Sequence, residues 1–140
     1  MIRIKLTSVS IDDYDKALKF YTEVMGFQKK RDMPLGEGAR WITVVSPLEP
    51  DGTELLLEPN AEYPAMKALK EALVKDGMPF TAFEVDDIQE VANHIKSKGV
   101  SLSVEPKQGR DGNYQCWVVD PNGFRIEFMQ MTPNSMQNTH

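Results

Sequence analysis

Residues 9–26 and 83–99 carry one pattern twice. Each segment begins with alternating apolar and polar positions, passes through an Asp-Asp pair, continues with apolar residues at helical spacing, and ends on glycine. Alternation at period two predicts a strand with one buried face, and a spacing of three or four predicts a helix with an apolar stripe. Ile11-Asp12-Asp13 precedes Val85-Asp86-Asp87 by 74 residues (85 − 11). An aspartate at that place accepts the free amide hydrogens of a helix start, so Asp12, Asp13, Asp86 and Asp87 read as caps. Leu18, Tyr21 and Met25 form the first stripe, and Ile88, Val91 and Ile95 the second. Gly26 and Gly99 stand where a left-handed helix end is wanted.

A second pair follows. Pro50-Asp51-Gly52 and Pro121-Asn122-Gly123 are 71 residues apart (121 − 50), each between alternating runs. Both are tight-turn signals. Residues 41–45 and 114–119 are the strands entering these hairpins. Each half therefore predicts a β-α-β-β-β module. Between the halves, residues 62–76 predict a linker helix, with Pro64 in its first turn, a buried stripe of Met66, Leu69 and Leu73, and Gly77 at its end. Residues 106–113, rich in Gly, Lys, Arg and Asp, predict an exposed, mobile loop. The expected organisation is a single domain over residues 1–131 (module one 1–60, linker helix 61–77, module two 78–131), then a flexible tail over 132–140.

Composition narrows the function. The 140 residues are 41% hydrophobic and 26% charged, as in ordinary globular domains. Lys+Arg 16 against Asp+Glu 21 gives a net charge of −5. That balance argues against nucleic acid or an anionic membrane surface as partner, because both need a concentrated cationic face. Charges interrupt the first residues, so neither a signal peptide nor a membrane span is expected, and a cytoplasmic location is the default. The single cysteine, Cys116, excludes an internal disulfide framework and any multi-cysteine metal site. It reads as a core thiol, and His94 as a solvated residue on a polar helix face.

A duplicated βαβββ module carrying residues 9–27, Phe83-Glu84-Val85-Asp86-Asp87 and residues 120–127 resembles the vicinal oxygen chelate superfamily. That superfamily includes glyoxalase I, bleomycin-resistance proteins, fosfomycin-resistance enzymes and extradiol dioxygenases. The resemblance spans residues 3–131. It implies an α+β fold in which two tandem βαβββ modules form a half-open, eight-stranded barrel-like sheet around a cavity, and a homodimeric assembly. In metal-dependent relatives four ligands come from four strands. Carried over by motif, those positions are Leu6, Leu56, Phe80 and Glu127, and the repeat offsets relate them as two symmetric pairs. Only Glu127 can ligate. A divalent ion wants about four N, O or S ligands. Dehydrating one against two leucines and a phenylalanine costs on the order of tens of kcal/mol. The expectation is therefore no metal and no cofactor.

With Glu127 turned into the cavity, strand alternation turns Arg125 and Met129 inward and packs Ile126 and Phe128 on a helix. The same parity points Leu6, Ser8 and Ser10 inward, with Glu54, Leu56 and Glu58, and with Phe80, Ala82 and Glu84. Gln115 and Trp117 are placed inward by analogy with superfamily pockets. The inward set is the composition of a small-molecule site. Candidate ligand-binding residues are Leu6, Ser8, Trp41, Leu56, Phe80, Gln115, Trp117 and Arg125. Candidate catalytic residues are Glu127 and Glu58. Beside apolar neighbours, Glu127 should be partly desolvated and its pKa raised, which suits a general base. Arg40, Trp41 and the Arg110 loop are placed to close over a ligand. The structural alternatives are that Trp117 is plain core and that Glu127 and Glu58 pair with Arg125 or Arg40.

Three functions compete. The first is metal-free binding of an apolar or aromatic small molecule, resembling the antibiotic-sequestering members. The second is a glyoxalase-like lyase or isomerase with Glu127 or Glu58 as base. The third is a dimeric scaffold with a vestigial cavity.

Overall fold

A computed structural model describes residues 1–133 of the chain. The chain divides into two compact units, Met1–Lys67 and a second beginning at Ala68. The first contains β1 (Leu6–Ser10), α1 (Tyr14–Lys19) continued by a π-helical stretch (Phe20–Val24), β2 (Gln28–Gly36), β3 (Ala39–Val45) and β4 (Glu54–Glu58). Helix α2 (Pro64–Asp76) spans the boundary. The second unit contains β5 (Thr81–Glu84), α3 (Ile88–Ser97), β6 (Leu102–Gln108), β7 (Tyr114–Val119) and β8 (Arg125–Gln130).

Each unit holds one four-stranded mixed sheet, ordered β1-β4-β3-β2 in the first and β5-β8-β7-β6 in the second. The first and last strands of each unit pair parallel, and the remaining pairs are antiparallel. The internal repeat extends to register. Ser8 faces Leu56 on β1–β4, and Ala82 faces Glu127 on β5–β8. Those four residues obey the same offsets as the sequence (82 − 8 = 74; 127 − 56 = 71). Ile11 N–H donates to the Glu58 carbonyl, and Val85 N–H to that of Met129, both at 2.8 Å.

The helix starts are made by the second aspartate of each pair. Asp13 accepts from Lys16 N–H. Asp87 accepts from both Gln89 N–H and Glu90 N–H. Gly26 and Gly99 both have φ in the left-handed region, at 83° and 80°, where any side chain would be strained. The helix-facing side of each sheet is buried, and in the first unit so is the other side of β3 and β4, at Thr43, Val45, Glu54 and Leu56. Val9, Ile11, Ile42, Val44, Leu55 and Leu57 are buried in the first unit with Ala17, Phe20 and Tyr21. Cys116, Val118, Ile126 and Phe128 are buried in the second with Ile88, Ala92 and Ile95. Each large aliphatic side chain so buried contributes about 1.5–3 kcal/mol.

Four expectations are corrected. The first helix buries Ala17, Phe20 and Tyr21, while Leu18 and Met25 are only half-buried. Its C-terminal half is π-helical: Met25 N–H reaches the Phe20 carbonyl, and Thr22 Oγ1 donates to the Leu18 carbonyl at 2.7 Å. The wider turn rotates the stripe away from regular helical spacing. In α2 no residue is buried, and Leu69 is exposed. This helix joins two units rather than covering one sheet. Residues 106–108 belong to β6, and the loop after them is closed by its own hydrogen bonds, described below. Arg40 also has other partners than those expected. Of the tail, Thr132 is tied to the loop, its N–H donating to Asn113 Oδ1 at 3.2 Å and its hydroxyl to the Gly112 carbonyl at 3.1 Å. The rest of the tail, with His140, lies outside the described residues.

Candidate functional site

The second unit carries the clearest concentration of chemistry. On β7 and β8, Trp117 faces Glu127 and Gln115 faces Met129. Alternation sends Cys116, Val118, Ile126 and Phe128 to the buried helix side. Gln115, Trp117, Arg125, Glu127 and Met129 share the opposite, half-buried face. The Trp117 indole N–H donates to Gln115 Oε1 at 2.7 Å. Burial raises the Glu127 carboxyl above its ordinary range, the Trp117 indole lowers it in part, and the negative charge of Asp111 raises it further.

This face adjoins a hollow of about 600 Å³. Gln115 and Trp117 come to it from β7, Gly77 and Pro79 from the segment after α2, and Lys107, Arg110 and Asp111 from the β6–β7 connection. That connection is built tightly. Gly109 N–H donates to the Asn113 carbonyl at 2.8 Å, and Gly112 N–H to the Gly109 carbonyl at 3.1 Å. Asp111 accepts from Asn113 N–H at 2.9 Å and from its side-chain amide at 3.3 Å. Asn113 is itself buried. Residues 109–113 therefore form a hydrogen-bonded wall. Sequence reasoning placed Gln115, Trp117 and the Arg110 loop, which contains Lys107 and Asp111, here but missed Gly77 and Pro79.

The other candidates fall elsewhere. The Phe80 ring packs on Phe124, with centroids 4.7 Å apart and planes tilted by 45°, so it serves the core as well as the face. In the first unit, Leu6 and Ser8 are exposed on β1 while Leu56 is buried opposite Ser8. Trp41 is half-buried opposite Met33, and Glu58 is half-buried opposite Ser10. The buried carboxylate of this face is Glu54, which accepts from Thr43 Oγ1 at 2.7 Å and Arg31 Nε at 2.9 Å. The Thr43 hydroxyl and the Arg31 guanidinium hold its pKa below the usual carboxylate value.

Arg40 pairs with neither Glu58 nor a ligand-facing group. It makes a two-pronged contact with Asp32, Nη2–Oδ2 at 2.7 Å and Nε–Oδ1 at 3.1 Å, and lies over the Tyr14 ring at 5.3 Å. Its parity is that of the buried Ile42 and Val44, which turns it to the helix side.

The four positions carried over from metal-dependent relatives do not fit an ion. Leu6, Leu56 and Phe80 offer no donor, and Glu127 is one carboxylate. Among the described residues, no group of three or more His, Cys, Asp or Glu could hold a metal. No described helix is long and apolar enough to cross a membrane.

Comparison with known proteins agrees with this architecture. Residues 3–128 match the family described as Glyoxalase/Bleomycin resistance protein/Dioxygenase superfamily. The chain is 51% identical over 105 residues to the uncharacterized protein YurT of Bacillus subtilis, covering 75% of this chain and 81% of that one. It is 32% identical over 133 residues to a probable lactoylglutathione lyase of Vibrio parahaemolyticus, covering 91% and 90%. Among solved structures it resembles TnmS3, an antibiotic binding protein from a Streptomyces species. There the TM-score is 0.73 at 26% identity, over 94% of this chain and 98% of that one. With a family match over nearly the whole chain and the matching sheet order in both units, the chain belongs to the glyoxalase/bleomycin resistance protein/dioxygenase superfamily.

Proposed function

We propose that this protein is a metal-free binding protein that holds an apolar or aromatic small molecule against Trp117. The observation that supports this reading is the half-buried indole, oriented by Gln115 at the edge of a hollow of about 600 Å³. That volume is in the range of small-molecule sites, and a flat, oriented ring with a few polar groups around it is their usual lining. The antibiotic binding protein among the structural relatives supports the same reading. Of the other ligand-binding candidates, Phe80 and Arg125 lie on the same unit and belong to this proposal, whereas Leu6, Ser8, Trp41 and Leu56 lie on the first unit and do not line this hollow. Assembly as a homodimer and a cytoplasmic location also belong to the proposal.

Calorimetry against a panel of aromatic small molecules tests it. The expected result is heat of binding with the ligand recovered unchanged, and loss of that heat in Trp117→Ala. Absence of binding across the panel overturns the reading in favour of a scaffold.

A second reading rests on Glu127. Its carboxyl is partly desolvated and raised, as a general base requires. The relative named as a probable lactoylglutathione lyase points the same way. Under this reading, Glu127 or Glu58 removes a proton from a carbonyl compound. Product formation that disappears in Glu127→Gln, with folding intact, supports it and displaces the first.

A further inference from the structure

We propose that the hollow of the second unit selects aromatic molecules bearing an acidic group, with Lys107 and Arg110 as the anion-recognising side chains. This rests on the binding reading above and adds the class of ligand. The chain has acid to spare, 21 Asp and Glu against 16 Lys and Arg. Yet two cations at the hollow, Lys107 and Arg110, make no ion pair or side-chain hydrogen bond among the described residues. The nearby acids are committed elsewhere. Asp111, next to Arg110 in the loop, spends its two oxygens on Asn113. Glu105 pairs with Lys96 at 2.9 Å. Glu127 does not line the hollow.

The donors are also well supported. The wall carrying Arg110 is closed by the hydrogen bonds of Gly109, Gly112 and Asn113 and is tied to Thr132. Lys107 lies on β6 opposite Gln115. Gln115 turns Oε1 to the indole, which leaves its amide Nε2 toward Gly109 as a further neutral donor. An aromatic ring against Trp117 with a carboxylate, sulfonate or phosphate toward Lys107 and Arg110 satisfies both halves of this surface. A guanidinium grips such oxyanions in a planar fork, and charge-assisted hydrogen bonds are the strong ones.

The test uses two fluorescent probes with one ring skeleton, anilinonaphthalene sulfonate and the uncharged phenylnaphthylamine, titrated into the full chain. The sulfonate should bind about tenfold more tightly than the neutral probe, the order expected for one partly exposed charge-assisted contact. In the double variant Lys107→Gln/Arg110→Gln, which removes both charges and keeps the aliphatic stems, that advantage should vanish. Both substituted side chains are exposed, so folding is not at issue. In Trp117→Ala, and in Trp117→Leu as a bulkier control, both probes should weaken. Equal affinities with no effect of the double variant, but loss of both at Trp117, overturn the charge selection and leave the binding reading standing. Failure of both probes to bind, or binding indifferent to Trp117, overturns both.

Discussion

Trp117 and Gln115, two residues apart on β7, are joined by a 2.7 Å hydrogen bond from the indole N–H to Oε1. Residues at that separation share a sheet face, so the bond orients the ring from within its own strand. The Gln115 amide occupies space left open by the lack of a side chain at residue 109. A Cβ there would stand 2.4 Å from Gln115 Nε2.

Gly109→Ala should therefore act through Gln115. The atom struck is the end of a flexible side chain, so the fold survives and the glutamine swings away from Trp117. Gln115→Leu removes the same bond directly, at about 1 kcal/mol. The two substitutions should be non-additive, because each deletes one interaction. Urea denaturation of both single variants and the double variant, with indole emission followed in a Trp41→Phe background, measures this. Additive losses would show that Gly109 and Gln115 act independently.

Asp120 should make the second unit less stable as pH rises from about 4 to about 6. The side chain is buried and accepts from Asn122 N–H at 2.8 Å and Phe124 N–H at 2.9 Å. Burial outweighs those bonds and pushes its pKa up to about 6. The folded state then holds a proton that the unfolded chain, titrating near 3.9, has released. The full effect is no more than about 3 kcal/mol. Asp120→Asn keeps an acceptor at Oδ1 and carries no charge. Relative to the parent it should gain stability between pH 4 and pH 6, measured by urea midpoints. Asp32 and Glu54, whose pKa values are lowered, act in the opposite sense in both proteins and drop out of the difference.

Cys116 should resist modification in the native protein. It is fully buried, and burial, with a smaller contribution from Glu105, pushes its thiol up to about 11. Thiolate is the reactive form. Iodoacetamide at pH 8 should leave the folded chain unlabelled, as read by mass spectrometry, and label it once in urea. Rapid native labelling would place the thiol at the surface.

The paired aspartates should separate into one working member each. Asp87→Ala should cost about 1 kcal/mol, and Asp13→Ala no more than that, since Asp87 accepts two amide hydrogens and Asp13 one. Asp86→Ala and Asp12→Ala should change thermal stability less than the cap substitutions, because Asp13 and Asp87 are the residues that accept the helix-start amides and an ion pair such as Asp12–Lys16 at a surface helix contributes little. Equal losses across all four would contradict the assignment of caps.

Most of the architecture was legible in the residues. The Asp caps, the left-handed glycines, the two Pro-x-Gly turns and the face parity of β7 and β8 all depend on neighbours within one turn or one strand. The duplication then extended that local reading to the whole chain, down to the shared register of Ser8–Leu56 and Ala82–Glu127. For the site, Trp117 and Gln115 were legible through alternation, whereas Gly77 and Pro79 belong to a segment that only a folded chain brings to the hollow.

What the sequence determined by itself was therefore the two βαβββ modules and which side of β7 and β8 packs on the helix, because periodicity and capping are short-range effects; on β3 and β4 both sides are buried, which alternation did not foretell. The tertiary structure alone decided which charges meet. Arg40 meets Asp32 because β2 and β3 pair in a register that carries them together, and lies over Tyr14 because the Tyr14 hydroxyl on α1 bonds the Arg40 backbone. The 109–113 loop became a wall because Thr132, arriving after β8, ties it down. Such pairings join residues distant along the chain, so their geometry exists only once the sheets have formed.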